Sequence, residues 1–188
     1  MENINRMEEM SFEEIDKEFD EMFAKSENER FIRTYLAGGN TPWRVRPSGA
    51  YEFASCCGRN IDIARKFLFA TKDSIQLRID LPIQVMFHER LEELREFVQQ
   101  INEWMVGWEN KPKLVMDSGV CISLTGELPD SKKMAVKKYF EMSRWITMSG
   151  YLAEHICHSA LRLMYNPGAS LTDVLDSLKK EICSDGKE

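Results

Sequence analysis

Ile75-Gln76-Leu77-Arg78-Ile79-Asp80-Leu81-Pro82 is the stretch that decides the fold. Apolar and polar residues alternate through it without a fault, which is the period of a strand with one dry and one wet face. A sheet that keeps one face in water is antiparallel. Pro82 cannot donate to a ladder, so the strand stops there. Upstream, Ile61 to Thr71 is rich in β-formers, with Ile61, Ile63, Phe67 and Phe69 on one parity, and Lys72-Asp73 suits a hairpin tip. Further back, Pro47-Ser48-Gly49 marks a turn between Trp43-Arg44-Val45 and Tyr51-Glu52-Phe53-Ala54. Three consecutive strands are expected before Pro82.

Beyond Pro82 the period changes to that of a helix. Phe87, Leu91, Leu94, Val98, Ile101 and Met105 are spaced 4-3-4-3-4 over residues 86–107, and Gly107 is a natural stop. A second hairpin follows. Lys113-Leu114-Val115-Met116 enters the turn Asp117-Ser118-Gly119, and Val120, Ile122 and Leu124 alternate on the return. A long helix comes next, with Tyr139, Met142, Ile146, Ser149, Ala153, Ile156, Ala160 and Leu163 on one stripe. Trp145, Met148 and Leu152 form a second apolar strip beside it, so this helix is expected to be covered on more than one side. Asn166-Pro167-Gly168 stops it, and Ser170-Leu171-Thr172-Asp173 opens a short final helix.

At the N-terminus, residues 11–37 read as helix. Ser11 and Glu14 make a capping box, and Phe12, Ile15, Phe19, Met22 and Phe23 keep 3–4 spacing. Ser26-Glu27-Asn28 is a candidate break. The expected order is therefore α-β-β-β-α-β-β-α with a short extra helix: one α+β domain, an antiparallel sheet of about five strands, helices on one face. The boundaries read as an acidic helical extension over 1–30, the domain over 31–183 and a frayed tail over 184–188.

Composition narrows function. The chain has 188 residues, 43% hydrophobic and 30% charged, as in soluble globular proteins. No apolar run reaches the ~20 residues that a membrane helix needs. The first residues carry no secretory signal. A cytoplasmic protein is expected. Residues 1–30 hold 11 acidic and 4 basic side chains, while the other 158 hold 20 and 21. The negative charge thus sits in the N-terminal arm, and a nucleic-acid partner, which calls for a concentrated basic surface, is not expected. Lys132, Lys133, Lys137 and Lys138 form one basic cluster. It reads as a solvated helix face, or as a dock for an acidic segment such as the arm itself. The five cysteines form no C-x-x-C and read as small hydrophobes.

The order of elements resembles the fold of the type III secretion chaperones. It is also similar to the YbjN-like proteins, described as bacterial sensory transduction regulators, which share that fold. The resemblance spans roughly residues 30–180. It is carried by the strand Ile75 to Pro82, the helix end Gln100-Ile101-Asn102, and Val120-Cys121-Ile122-Ser123-Leu124 before the long helix. It implies protein binding in a bacterial cytoplasm, often as a homodimer, with no catalytic residues and no cofactor. The chain departs from a secretion chaperone by its longer acidic N-terminus and larger size.

Chemistry-bearing segments are sparse. Glu154-His155-Ile156-Cys157-His158 places two imidazoles three apart, but a zinc site needs three or four converging ligands. A metal protein or enzyme built on His155 and His158 is the alternative reading; the ordinary one is two polar histidines flanking a core isoleucine. Cys56-Cys57 lacks a neighbouring base, with His88 a candidate only by elimination. Gly38-Gly39-Asn40 is no phosphate loop. Carboxylate pairs such as Glu92-Glu93 fall on wet helix faces. No catalytic, cofactor or metal residue is assigned. Large apolar side chains are better candidates: Trp104, Trp108, Trp145, Met148 and Leu152 are the expected partner-binding residues, tryptophan being enriched at interface hot spots. The expected function is a non-enzymatic, chaperone-like or regulatory protein-binding module, acting through an apolar sheet or helix surface.

Overall fold

The β-period around Ile75 builds the centre of a sheet. A computed structural model of the chain describes residues 11, 27–37, 43–55, 64–71, 73–85, 88–117, 121–129 and 135–185. Within them lie the strands β1 (Arg44–Val45), β2 (Tyr51–Ser55), β3 (Ala64–Ala70), β4 (Ser74–Asp80), β5 (Lys113–Asp117) and β6 (Cys121–Pro129). The helices are α1 (Glu27–Ala37), α2 (Leu91–Trp104), α3 (Ala135–Tyr165) and α4 (Leu171–Asp185). The sheet order is β1-β2-β3-β4-β6-β5 and every pair is antiparallel. The α+β class is as expected, with six strands in place of about five. The extra strand is β1, whose two residues are too few to show an alternation. It turns back at Gly49, whose φ of 76° is a conformation that glycine adopts without strain.

One face of the sheet is dry. Ile75, Leu77 and Ile79 of β4 are each at most 2% exposed. Register brings Leu68 opposite Leu77, and Leu128 and Leu124 opposite Ile75 and Ile79. α2 lays Leu94, Phe97, Val98 and Ile101 on this layer, and α3 adds Met142, Ala153, Ile156 and Leu163. Phe97 lies beside the expected stripe yet is fully buried, so the apolar face of α2 is wider than a 4-3 repeat shows. α2 begins at Leu91 rather than 86, and Gly107 (φ 83°) follows its last turn as expected.

Register settles which parity of β3 is inward. Ala64 and Leu68 face the core, while Phe67 and Phe69 lie half-buried on the opposite face with their rings 6.5 Å apart. Pairing with β4 dictates this: Leu68 must share a face with Leu77. Lys66 is also inward, and its stem runs along α3 at Gly150. A Cβ there would stand 3.0 Å from Lys66 Nζ.

In the first turn of α1, Asn28 and Glu29 are buried against the body. α4 runs to Asp185, into the stretch read as a tail. Ser170 caps α4, its Oγ accepting from Asp173 N at 3.1 Å and donating to Asp173 Oδ2 at 2.7 Å. The hairpin tip at 72, the cysteines at 56 and 57, and the arm over 12–26 lie outside the described residues.

Candidate functional site

The five residues expected to bind a partner do not form one surface. Trp145 and Leu152 are 5% and 8% exposed and belong to the core. Trp145 lies over β6 at Gly126, where a Cβ would stand 3.5 Å from its Nε1. Trp104 and Trp108 are half-buried and pack edge to face with centroids 4.8 Å apart. Lys179 Nζ stands 6.0 Å from the Trp104 ring centre. Met148 alone of the five is exposed. A helical period separates an apolar strip from a polar one, but it cannot say which strip the sheet will cover.

The histidine segment is also divided. His155 Nδ1 lies 3.2 Å from Glu181 Oε2 on α4, and its ring packs on Tyr151 at 4.3 Å. The Nε2 of His158 is buried without a hydrogen-bond partner among the described residues. Ile156 and Cys157 between them are fully buried. Among the described residues no three His, Cys, Asp or Glu side chains converge for a metal. Cys121 is the half-buried thiol on the open face. Burial, then the carboxylates of Asp80 and Asp117, push its pKa up, away from the thiolate that a nucleophile needs.

The open face of the sheet carries a largely polar row. Register aligns Arg44, Glu52, Phe67, Arg78, Thr125 and Lys113 across all six strands. Its charges are largely matched within the face. Arg78 Nε donates to Asp80 at 2.6 Å, with Asp117 at 3.5 Å. Glu52 pairs with Arg46, which holds its carboxyl below the usual range. A shallow hollow of about 420 Å³ lies over Phe69, Gln76, Arg78 and Thr125, with Lys111 and Glu127 paired at its rim. The outer edge is shut. Asn102 of α2 donates from Nδ2 to Leu114 O at 2.9 Å and accepts from Leu114 N at 2.7 Å. Its amide thus occupies the place of an added strand on β5.

A second hollow differs in character. Helix α1 docks on the body through a buried polar cluster. Tyr51 Oη donates to Glu29 Oε1 at 2.8 Å, and Arg33 Nε donates to both groups. Lys138 Nζ donates to Asn28 Oδ1 at 2.6 Å, and Asn28 Nδ2 donates to Thr71 O at 2.8 Å. Burial first, then the Glu29 carboxylate, pushes the Tyr51 hydroxyl up to about 12. Lys138 is only 6% exposed, although its sequence context reads as a wet lysine cluster. Its ammonium also lies 5.0 Å from the Phe31 ring centre. Beside this clamp the faces of α1 and α3 do not close. They leave an apolar groove of about 650 Å³ lined by Phe31, Tyr35, Tyr139 and Phe140, with Glu27, Arg30 and Thr34 at its margin. Tyr35 and Tyr139 stand 4.8 Å apart and Ser143 holds the Tyr35 hydroxyl at 3.2 Å, so two rings of the wall are fixed. Phe140 is 68% exposed. The α1 wall went unread because Phe31 and Tyr35 pattern as an ordinary helix stripe.

Among the described residues no helix is long and apolar enough to cross a membrane. The chain matches no family model, no curated protein and no solved structure.

Proposed function

We propose that the protein is a non-enzymatic protein-binding module of the cytoplasm, chaperone-like or regulatory. Its docking surface is the groove between α1 and α3. The observation that carries this reading is the exposure of aromatic rings on a rigid wall: Phe140 is 68% and Tyr139 38% exposed, beside Phe31 and Tyr35. Aromatic side chains supply large contact area at little entropic cost, which is why they anchor interfaces. The groove is apolar and runs between two helices, so an amphipathic helix with apolar residues at i, i+3 and i+4 is the natural ligand. Strand addition is disfavoured, because Asn102 shuts the β5 edge and β1 is two residues long.

Site-specific photo-crosslinking in the source cells tests the reading. Phe140→p-benzoylphenylalanine is compared with the same change at Val106, which is 78% exposed but lies beyond α2. A protein captured at 140, not at 106, and lost when Tyr139→Asp is added, is the expected result. Identical products from both positions would sink the proposal.

A further inference from the structure

We propose that the groove between α1 and α3 is occupied, in the absence of a partner, by the chain's own N-terminal segment over residues 12–23. The proposal rests on the reading of that groove as the docking surface and adds how the site is regulated. Four observations carry it. First, the stretch over 12–26, outside the described residues, rejoins the described chain at Glu27, which itself lines the groove. Second, the segment has the ligand's pattern: Phe12, Ile15, Phe19, Met22 and Phe23 recur at three to four residues, as a groove-bound helix requires. Third, the lengths agree. Twelve helical residues measure about 18 Å and the eleven of α1 about 16 Å at 1.5 Å per residue. Residues 24–26 between them suit the two-to-five-residue loop of an antiparallel helix hairpin. Fourth, charge is complementary. Residues 11–26 hold Glu13, Glu14, Asp16, Glu18, Asp20 and Glu21 against two lysines. The groove's margin offers Arg30 beside Glu27, and Lys137, paired with Glu141 at 3.4 Å, stands exposed on α3 next to the wall.

Folded back this way, the segment's apolar stripe covers Phe31, Tyr35, Tyr139 and Phe140 and leaves its carboxylates in water. A partner helix then has to displace it, so the affinity for the partner is reduced by the fraction of time that the groove is filled. The tether makes the local concentration of the segment millimolar or higher, so a weak contact suffices to fill the groove.

The test uses the purified full chain carrying Phe140→p-benzoylphenylalanine, as an equal mixture of light and ¹⁵N-labelled protein. Irradiation followed by peptide mass spectrometry is expected to join position 140 to residues 12–25. The linked peptides should be light–light or heavy–heavy only, at a yield unchanged by tenfold dilution. Phe19→Asp with Phe23→Asp should cut these products roughly tenfold or more, since burying two charges against rings costs more than one decade of equilibrium. The thermal transition of the body should stay in place. In the source cells the same double variant should raise partner capture. Mixed light–heavy products would overturn the proposal in favour of a second copy in the groove. Products elsewhere on the chain, or none to residues 12–25, would overturn it outright. In either case partner capture at position 140 would still stand, so failure of the segment's seat is distinct from failure of the binding module.

Discussion

Tyr51 joins two parts of the chain that sequence distance keeps apart. Its hydroxyl bridges Glu29 and Arg33 of α1 from strand β2, and it is 4% exposed. Nothing local announces this: β-propensity explains why Tyr51 is in a strand, but its partners lie some twenty residues upstream. Lys138 is a stronger case, since its bond to Asn28 spans 110 residues. Sequence reasoning assigns lysines to water because most of them are there, and only the tertiary fold can reverse that. Two outcomes follow at this scale. Tyr51→Phe takes one donor from the buried Glu29 carboxylate, leaving that of Arg33, and should cost about 1–2 kcal/mol in urea unfolding, with faster hydrogen exchange over residues 28–37. The wild-type hydroxyl, raised to about 12 in the fold, ionises near 10 when unfolded. The unfolded state therefore loses its proton first. The stability that Tyr51 contributes is complete below pH 10 and is lost as pH rises towards 12. The difference between wild type and Tyr51→Phe should shrink over that window, and a constant difference would refute the assignment. Asn102 offers the second outcome. Asn102→Ala strips the outer N–H and C=O of Leu114 of their partners and should cost about 1–3 kcal/mol, measured by the same denaturation.

Helices and strands were more legible than the residues that join them. β4 was read to within a residue or two at each end because a strand with one wet face alternates without ambiguity. α2 and α3 were read from their 3–4 spacing, although the spacing did not show which side of α3 faces the sheet. In β3 the sequence groups Phe67 and Phe69 on one parity, and only pairing with β4 shows that this parity lies on the open face. The junction of α2 with the α3–α4 turn could not be read at all. There Arg90 donates from Nη1 to Leu163 O at 2.5 Å and Asn166 O at 3.1 Å, and from Nη2 to Ala169 O at 2.9 Å. It closes the C-terminal carbonyls of α3, where a cation also meets the negative end of the helix dipole. Glu93 holds the guanidinium in place, its Oε1 accepting from Nε at 2.8 Å, and the arginine keeps the Glu93 carboxyl below its ordinary range. A lysine keeps the charge and loses the fork. Arg90→Lys should therefore lower the melting temperature and raise hydrogen exchange at 163–170. Unchanged exchange there would show that the turn holds itself. Gly126 is the matching constraint in the sheet. Gly126→Val brings a branched side chain against Asn110 O and the Trp145 ring, an overpacking worth about 1–3 kcal/mol in chemical denaturation.

The whole molecule limits how copies of it can associate. Chains of this architecture join by their sheet edges or by their helix faces. The β5 edge is shut at Leu114 by Asn102, and the β1 edge offers two residues. Edge-to-edge growth, which propagates without limit, is thereby blocked. Outside the groove, α3 exposes the large apolar side chains Met148 and Tyr165, at 55% and 65%. Two copies meeting through one such helix bury the same patch on both sides, and the contact closes on itself. If the homodimer expected from the order of elements forms, it should run through α3 and stop at two. Sedimentation velocity over a hundredfold concentration series should then show monomer passing to a single heavier species that saturates. Met148→Asp places a charge in that face, outside the walls of the α1–α3 groove, and should shift the transition to higher concentration without altering photo-products at position 140. Species that keep growing with concentration would point to an open edge, and an unmoved transition in Met148→Asp would take the contact off this helix.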